Sequence, residues 1–402
     1  MNETTLVSKN LFGLAMFSLA ASNVYAVGLQ VTPGTAAFGT AGAGQAAHAG
    51  DAMASWSNPA NMTQLEGNQG AVGVVAAETD INFEAEQPKV GPAKKDGGDA
   101  GGVVHIPSAA YVHSVSDDLK VGVSLMVPYG NSIDYADDWA GANVAKSASM
   151  ETIQVQPSVA YRVTDSLSLG AGINANYIKA EQELTVMGQD LGLDADDVAY
   201  GWTAGATWDL NQSNRLGLVY RSEVNADLEG DGSLNGTSDY ASLNWDNPAT
   251  VMLSGYHQVS DNSAFVWDVG RVFYSSFETT TIYSELLGME LDIDRHWQDA
   301  NRYAVGWEYA LNSDWTLQTG FSLDESPVDD QHRSADMPLD EIKRYTVGAL
   351  YKASPEVDVA FGLEYADLGT PSVAHESGLL ASPAGEYNNS AVAGAVSMNY
   401  KF

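Results

Sequence analysis

The side chains able to do chemistry in this 402-residue chain are few, and what is missing narrows the field first. There is no cysteine, so disulfide scaffolds, thiolate catalysis and thiolate metal sites are closed to it. The seven histidines lie scattered without a metal-ligand spacing, and no serine sits in a recognisable nucleophile motif. The chain therefore reads as no enzyme, with no cofactor and no metal. What remains is a handful of arginines, Arg162, Arg215, Arg221, Arg302 and Arg344, in a chain with 18 Lys plus Arg against 52 Asp plus Glu and a net charge of -34. A guanidinium forms paired, charge-assisted hydrogen bonds with a carboxylate, whether that belongs to the protein or to something it binds. The same acidic balance excludes nucleic acid as a partner, because phosphate contacts need a basic surface.

Those arginines act together only if the backbone brings them to one face. From about residue 69 onward the dominant pattern is period two, the mark of a strand with two different faces. "SLSLGAGINANY" puts Leu167, Leu169, Ala171, Ile173, Ala175 and Tyr177 on one face, with Ser, Gly and Asn on the other. "RYAVGWEYAL" sets Tyr303, Val305, Trp307 and Tyr309 opposite Arg302, Gly306 and Glu308. The five arginines fall on the less apolar phase throughout.

Fourteen such segments follow one another to Phe402, and their connections alternate between short and long. The short ones are "SDD", "TDS", "NQSN", "SDN", "NSD" and "SPE", all tight-turn chemistry. Between them lie acidic, Gly-rich stretches such as "EQPKVGPAKKDGGDAGG", "LEGDGSLNGTSDY" and "SPVDDQHRSADMPLDE", read here as long loops. Short periplasmic turns and longer extracellular loops are what insertion of an outer-membrane barrel gives. The expected fold is thus all-β, a 14-stranded antiparallel transmembrane β-barrel, with both termini of the mature chain periplasmic.

The first residues agree with that compartment. Lys9, the run "LFGLAMFSLAA" and "VYA" at Val24 to Ala26 read as a secretory signal peptide over 1–26, and the run is too short to span a bilayer as a helix. Residues 27–68 do not alternate. They are rich in Ala and Gly, and Asn58-Pro59-Ala60 suits a helix N-cap followed by proline at the first helical position. Such a segment either links to the barrel from outside or plugs it from inside, and composition leaves both open. A second Asn-Pro-Ala, Asn247 to Ala249, reads as a loop end where a strand tolerates the missing donor.

The segment resembles the N-terminal hatch of the FadL family of outer-membrane transporters for long-chain fatty acids and other hydrophobic compounds. The matching residues are Gly28 and Gln30, "FGTAGAGQAAHAGDA" with Gly39, Ala41, Gly44, Ala47, Ala49 and Asp51, and Asn58-Pro59-Ala60. Weaker matches run on through "DDWAG", "PSVAYRV", "LSLGAGINANY", "GLVYRSEV" and "NPAT".

The resemblance implies a monomeric barrel over 69–402 whose lumen is closed by a partly helical hatch over 27–68, with Gly39, Asp51, Asn58, Pro59 and Ala60 as hatch and gating residues. It implies passive uptake of hydrophobic molecules, most simply long-chain fatty acids. These are collected at outer loops, held in an internal pocket and released sideways through a gap at a kinked third strand. That strand is "LKVGVSLMVPYG", where Pro128 and Gly130 are the candidates and the plainer reading of Pro128 is a strand terminator. For a ligand carboxylate the candidates are Arg221, Arg302, Arg344 and Lys179, although the phase of Lys179 points outward. The bland alternative is that the arginines pair with wall acids such as Asp268, Glu308, Asp358 and Glu364. Aromatic hydrocarbon uptake is the alternative within the family, and a structural, adhesin-type barrel serving as a phage receptor the alternative outside it. The expected partners are hydrophobic small molecules, outer-membrane lipid and lipopolysaccharide. Neither "EGDG" nor "DGGD" has a calcium-loop spacing, so the acidic stretches read as solvating surface.

Overall fold

The computed structural model describes residues 33–87, 95–186, 188–373 and 380–402, with only the backbone of Val186. The signal peptide expected over 1–26, the start of the mature chain, and Gly28 and Gln30 lie outside the described residues.

The alternation read from the sequence separates two environments, and they are the reverse of a soluble protein's. Ile173 is 69 % and Tyr200 74 % exposed, whereas Asn174 is 5 % and Gln156 0 % exposed. Large apolar side chains pointing out and amides pointing in belong in lipid, where the solvent outside is hydrocarbon. No helix among the described residues is long and apolar enough to cross a membrane, so strands must do so.

The hydrogen-bonded segments, in chain order, are β1 (Gln69–Ala85), β2 (Val103–Ser114), β3 (Leu119–Asp134), β4 (Ser147–Thr164), β5 (Leu167–Val186), β6 (Gln189–Asn211), β7 (Asn214–Arg221), β8 (Val224–Leu234), β9 (Thr237–Asn247), β10 (Thr250–Ser260), β11 (Ser263–Val272), β12 (Thr279–Ser284), β13 (Met289–Asp294), β14 (Ala300–Ala310), β15 (Trp315–Asp324), β16 (Ile342–Lys352), β17 (Val357–Asp367), β18 (Ser372–Val373) and β19 (Gly385–Lys401). β7 runs on into β8, β9 into β10, β11 into β12 and β13 into β14, while β18 is a two-residue strip on β19. This leaves fourteen antiparallel barrel strands, closed where β1 pairs with β19 from Gln69↔Lys401 to Ala85↔Gly385. Closure removes the free edges that the first and last strands would leave, which hydrocarbon requires.

All six short turns fall where the sequence placed them. The long connections partly do not. "LEGDGSLNGTSDY" is the β8–β9 hairpin, because Asn235 and Gly236 adopt φ of 48° and 82°, the left-handed pair that a two-residue hairpin turn needs. Leu228 and Leu234 were too sparse to reveal the alternation around it. "SPVDDQHRSADMPLDE" does remain a loop, and it folds down over the outer mouth. Val328, Met337 and Leu339 from it join Tyr274, Phe277, Trp297 and Leu380 in one apolar cap. Arg295 fastens the cap through two bonds to Asp336, of 2.9 and 2.6 Å, with both side chains buried. Burial pushes the Asp336 carboxyl up, but the Arg295 charge and the hydrogen bonds from Arg295 and Ser334 outweigh it and hold the group below its ordinary value.

The ladder fails in two places. β2 pairs with β3 only as far as Ala109↔Leu125, although β2 stays paired with β1 up to Val103. Residues 103–108 and 126–133 therefore face each other unpaired, below a closing bond from Asp134 N–H to Ala100 O of 3.0 Å. The second failure lies between β6 and the β7–β8 break. Pairing with β7 ends at Thr203↔Arg221 and resumes with β8 at Asp196↔Glu229. Below the gap Ser222 both donates its N–H to Trp202 O and accepts from Trp202 N–H through Oγ, each at 2.9 Å.

Candidate functional site

Residues 33–68 fill the lumen, and small side chains are what allow it. They form the short helix α1 (Ala54–Ser57) and 3-10 turns at Phe38–Thr40 and Pro59–Gln64. Asn58 caps the second turn, accepting the Ala60 N–H at 3.1 Å. Its Nδ2 donates to Ala46 O at 2.6 Å and to Ala206 O on β6 at 3.3 Å. Asp51 joins two other stretches, accepting the N–H groups of Ala36 and Met53 at 2.8 Å each. Burial pushes the Asp51 carboxyl up while these two bonds pull it back.

The wall meets this segment through its glycines. A Cβ at Gly217 would lie 1.8 Å from Ala46 O, at Gly205 1.9 Å from Asn58 Oδ1, and at Gly320 2.2 Å from the Thr40 carbonyl carbon. The approach is mutual, for a Cβ at Gly39 would lie 2.8 Å from Gly348 Cα. Glycine here serves close contact rather than a turn.

The five lumen arginines take two kinds of partner. Four donate to the lumen segment: Arg162 to Thr63 O, Arg215 to Gln64 Oε1, Arg221 to Trp56 O and Ser57 O, and Arg302 to Ala41 O. Arg215 also pairs with Asp209, and Arg302 and Arg344 share Asp324. Arg344 lies 3.7 Å from Glu364. The wall-acid reading thus holds for Arg344 and in part for Arg215 and Arg302, mainly through Asp324 and Asp209 rather than the acids expected. Arg221 differs. It makes no ion pair with any described residue, its guanidinium stacks 4.5 Å from the Trp56 ring centre, and its Nε is buried without a hydrogen-bond partner.

Arg221 and Arg302 come together in one pocket between the lumen segment and the wall, with about 790 Å³ of empty space, part of it open to solvent. Trp56, Tyr129, Val224, Pro248 and Met252 supply apolar walls, and no carboxylate lines it. An amide chain runs along one side: Trp56 Nε1 donates to Gln154, Gln154 to Asn176, and Asn176 to Asn174, at 2.8, 2.8 and 2.6 Å. Arg302 also borders a second cavity, nearer the cap, together with Arg344.

Several expected positions change. Lys179 does not reach the pocket: β5 pairs regularly with β6 through Lys179↔Asp196, no bulge turns the side chain inward, and it pairs outside with Glu181 and Asp194. Pro128 does not end its strand, since β3 continues to Asp134. Instead Val127 and Pro128 are skipped in the register with β4, and Pro128 lines the pocket. Gly130 pairs regularly with Glu151, so the distortion belongs to Val127 and Pro128. The second Asn-Pro-Ala is no loop end. Asn247 ends β9 inside the barrel, and Pro248 and Ala249 break the strand beside the same pocket. The sequence reading missed Asp324 and the wall glycines; the inward phase of Gly205, Gly217 and Gly320 was the available signal.

Comparison with known proteins gives a consistent picture. Residues 17–402 match the profile of a family described as outer membrane protein transport protein (OMPP1/FadL/TodX). The chain is 26 % identical to the long-chain fatty acid transport protein of Escherichia coli K12, over 91 % of this chain and 93 % of that one. It is 28 % identical to outer membrane protein P1 of Haemophilus influenzae, over 89 % of each. Among solved structures, a Pseudomonas aeruginosa FadL homologue superposes with a TM-score of 0.87 at 22 % identity, covering 93 % of this chain and all of that one. The Pseudomonas putida toluene transporter TodX superposes with a TM-score of 0.73 at 18 % identity, covering 93 % of this chain and 99 % of that one.

Proposed function

The chain belongs to the outer-membrane transport protein family (OMPP1/FadL/TodX), and from that premise we propose that it takes up hydrophobic molecules passively across the bacterial outer membrane, long-chain fatty acids first among them. Residues 1–26 serve as the export signal, 27–68 as the hatch, and 69–402 as the barrel. The observation that carries the substrate is the pocket with two guanidiniums, apolar walls and no carboxylate of its own. A fatty carboxylate meets there the guanidinium of Arg221, which has no acid partner among the described residues, and hydrogen bonds to a charged group contribute about 1.5–3 kcal/mol each. Its chain then leaves sideways through the opening between β2 and β3, beside Pro128. Delivery into the bilayer recovers about 0.8 kcal/mol per CH₂ buried, which a water-filled pore could not offer.

The relatives named for toluene transport bring a second reading, uptake of aromatic hydrocarbons, favoured by Trp56 and Tyr129 in the pocket wall. An adhesin or phage receptor has no need of a lumen this closely filled.

Uptake of radiolabelled oleate by a transporter-deficient strain tests the reading. The protein should restore it, and Arg221→Ala should lower it about tenfold, the equivalent of roughly 1.4 kcal/mol, with the barrel still heat-modifiable on gels. Equal uptake by that variant would overturn the carboxylate site, and toluene uptake alone would favour the second reading.

A further inference from the structure

We infer that Asn174 decides which head group the Arg221 pocket accepts: its side-chain amide ends a polarised hydrogen-bond relay and donates into the pocket, so a bound molecule must present an acceptor there. This rests on the transport reading and deepens it, because it separates carboxylates from bare hydrocarbons as cargo.

The relay has one direction, and its far end sets it. The indole N–H of Trp56 can only donate, so Gln154 turns its oxygen toward it, at 2.8 Å. That leaves the Gln154 nitrogen for Asn176 Oδ1, at 2.8 Å, and the Asn176 nitrogen for Asn174 Oδ1, at 2.6 Å. The backbone agrees. Asn176 Nδ2 also reaches the carbonyl oxygen of Ala199, at 3.4 Å, and a carbonyl only accepts. Turning any one amide over would set oxygen against oxygen or N–H against N–H, so the four side chains hold a single arrangement.

Asn174 is the last member. Its oxygen is taken by Asn176, and its Nδ2 donates to no described residue. The residue is only 5 % exposed and borders the pocket, yet Nδ2 is not sealed off as Arg221 Nε is. The N–H pair is therefore left for what the pocket holds, and members of a hydrogen-bond chain strengthen one another. With no carboxylate in the lining, the pocket offers a neutral donor in addition to the guanidinium.

That donor discriminates. Water satisfies it in an unliganded pocket, and a carboxylate oxygen can take the place of that water. An alkane or toluene would displace the water and leave a buried N–H pair unmade, which is costly. Sites built to bond a polar group reject analogues lacking it far more strongly than apolar pockets reject an added one.

Competition of oleate and of hexadecane against parinaric acid, excited through tryptophan on the full chain purified in detergent, tests this. Asn174→Leu keeps the bulk and removes the donor. It should weaken oleate about tenfold, the loss of one hydrogen bond to a charged group, and leave hexadecane unchanged. Equal loss of both ligands would mean a merely structural asparagine, and unchanged oleate no role at all; either overturns the inference. If that variant does not give a heat-modifiable barrel, Asn174→Ala replaces it with the same expectations. Oleate lost in Arg221→Ala but kept in Asn174→Leu leaves the carboxylate pocket standing and rejects Asn174 alone. If the wild type binds no oleate, the fatty-acid reading fails. The relay is then read from side-chain amide exchange in ¹⁵N-asparagine-labelled protein: faster exchange at Asn174 than at Asn176 supports the free donor, and equal protection rejects it.

Discussion

The two gaps in the wall have the same kind of boundary but different origins. Between β2 and β3 a proline without an N–H sits in a bulge of one strand. The lumen segment backs that gap, with Gly34 O accepting from Ser108 Oγ at 3.1 Å. Between β6 and β7–β8 no proline intervenes. The wall strand itself breaks at Ser222 and Glu223, and the side chains of Asn174, Ser222 and Val224 close against Gly201 there. Both gaps border the hatch, the first through Ser108 and Gly34 and the second through Arg221, which donates to Trp56 O and Ser57 O. The difference teaches that a closed barrel can interrupt its ladder in two ways, by a proline bulge within a strand or by a break of the strand itself.

The largest test of that contrast loosens the cap that lies above both gaps. Asp336→Asn strands the buried Arg295 charge, and breaking one partner of such a pair costs about 3–5 kcal/mol. The cap should loosen, and limited proteolysis should cut the loop over 326–341 faster than in the wild type. The pH sense follows: Asp336 is held below its ordinary value, so its contribution is full above the unfolded value and is lost only as pH falls through the folded one. Thermal melts should show the wild type losing stability on acidification more steeply than Asp336→Asn.

Gly217→Val comes next. Its side chain collides with Ala46 O, at a typical overpacking cost of about 1–3 kcal/mol, and should unseat the hatch without breaking the ladder. Single-channel conductance should rise from closed to open levels, and a Ser108→Cys thiol in the β2–β3 gap should react with a probe faster than the same cysteine does without Gly217→Val. Pro128→Ala restores a donor to β3 and should slow oleate release a few-fold, measured as uptake, while leaving transfer of parinaric acid into the pocket unchanged. Smallest is Lys179→Ala. An exposed pair contributes about 0–1 kcal/mol, so melting and uptake should both stay at wild-type values.

Much of the fold was legible because lipid imposes a simple code. Leu169, Ile173 and Tyr177 alternate with Gly172, Asn174 and Asn176, and each tight turn carries its own chemistry. The β8–β9 hairpin was missed where Asn235-Gly236 signalled it, because glycines and aspartates around it thinned the apolar phase. Of the site, the inward arginines were readable by phase. That Arg221 lacks an acid while Arg302 and Arg344 share Asp324 was not, since those contacts depend on how neighbouring strands slide past one another.

The sequence by itself determined which residues face lipid, where the six short turns lie, and that Asn58 and Pro59 start a helical turn, because those follow from period two and local capping. Only the tertiary structure decided that wall glycines meet hatch carbonyls, that Pro128 bends its strand without ending it, and where the ladder lets go. Those depend on register between strands far apart in the chain, for which no single segment carries the information.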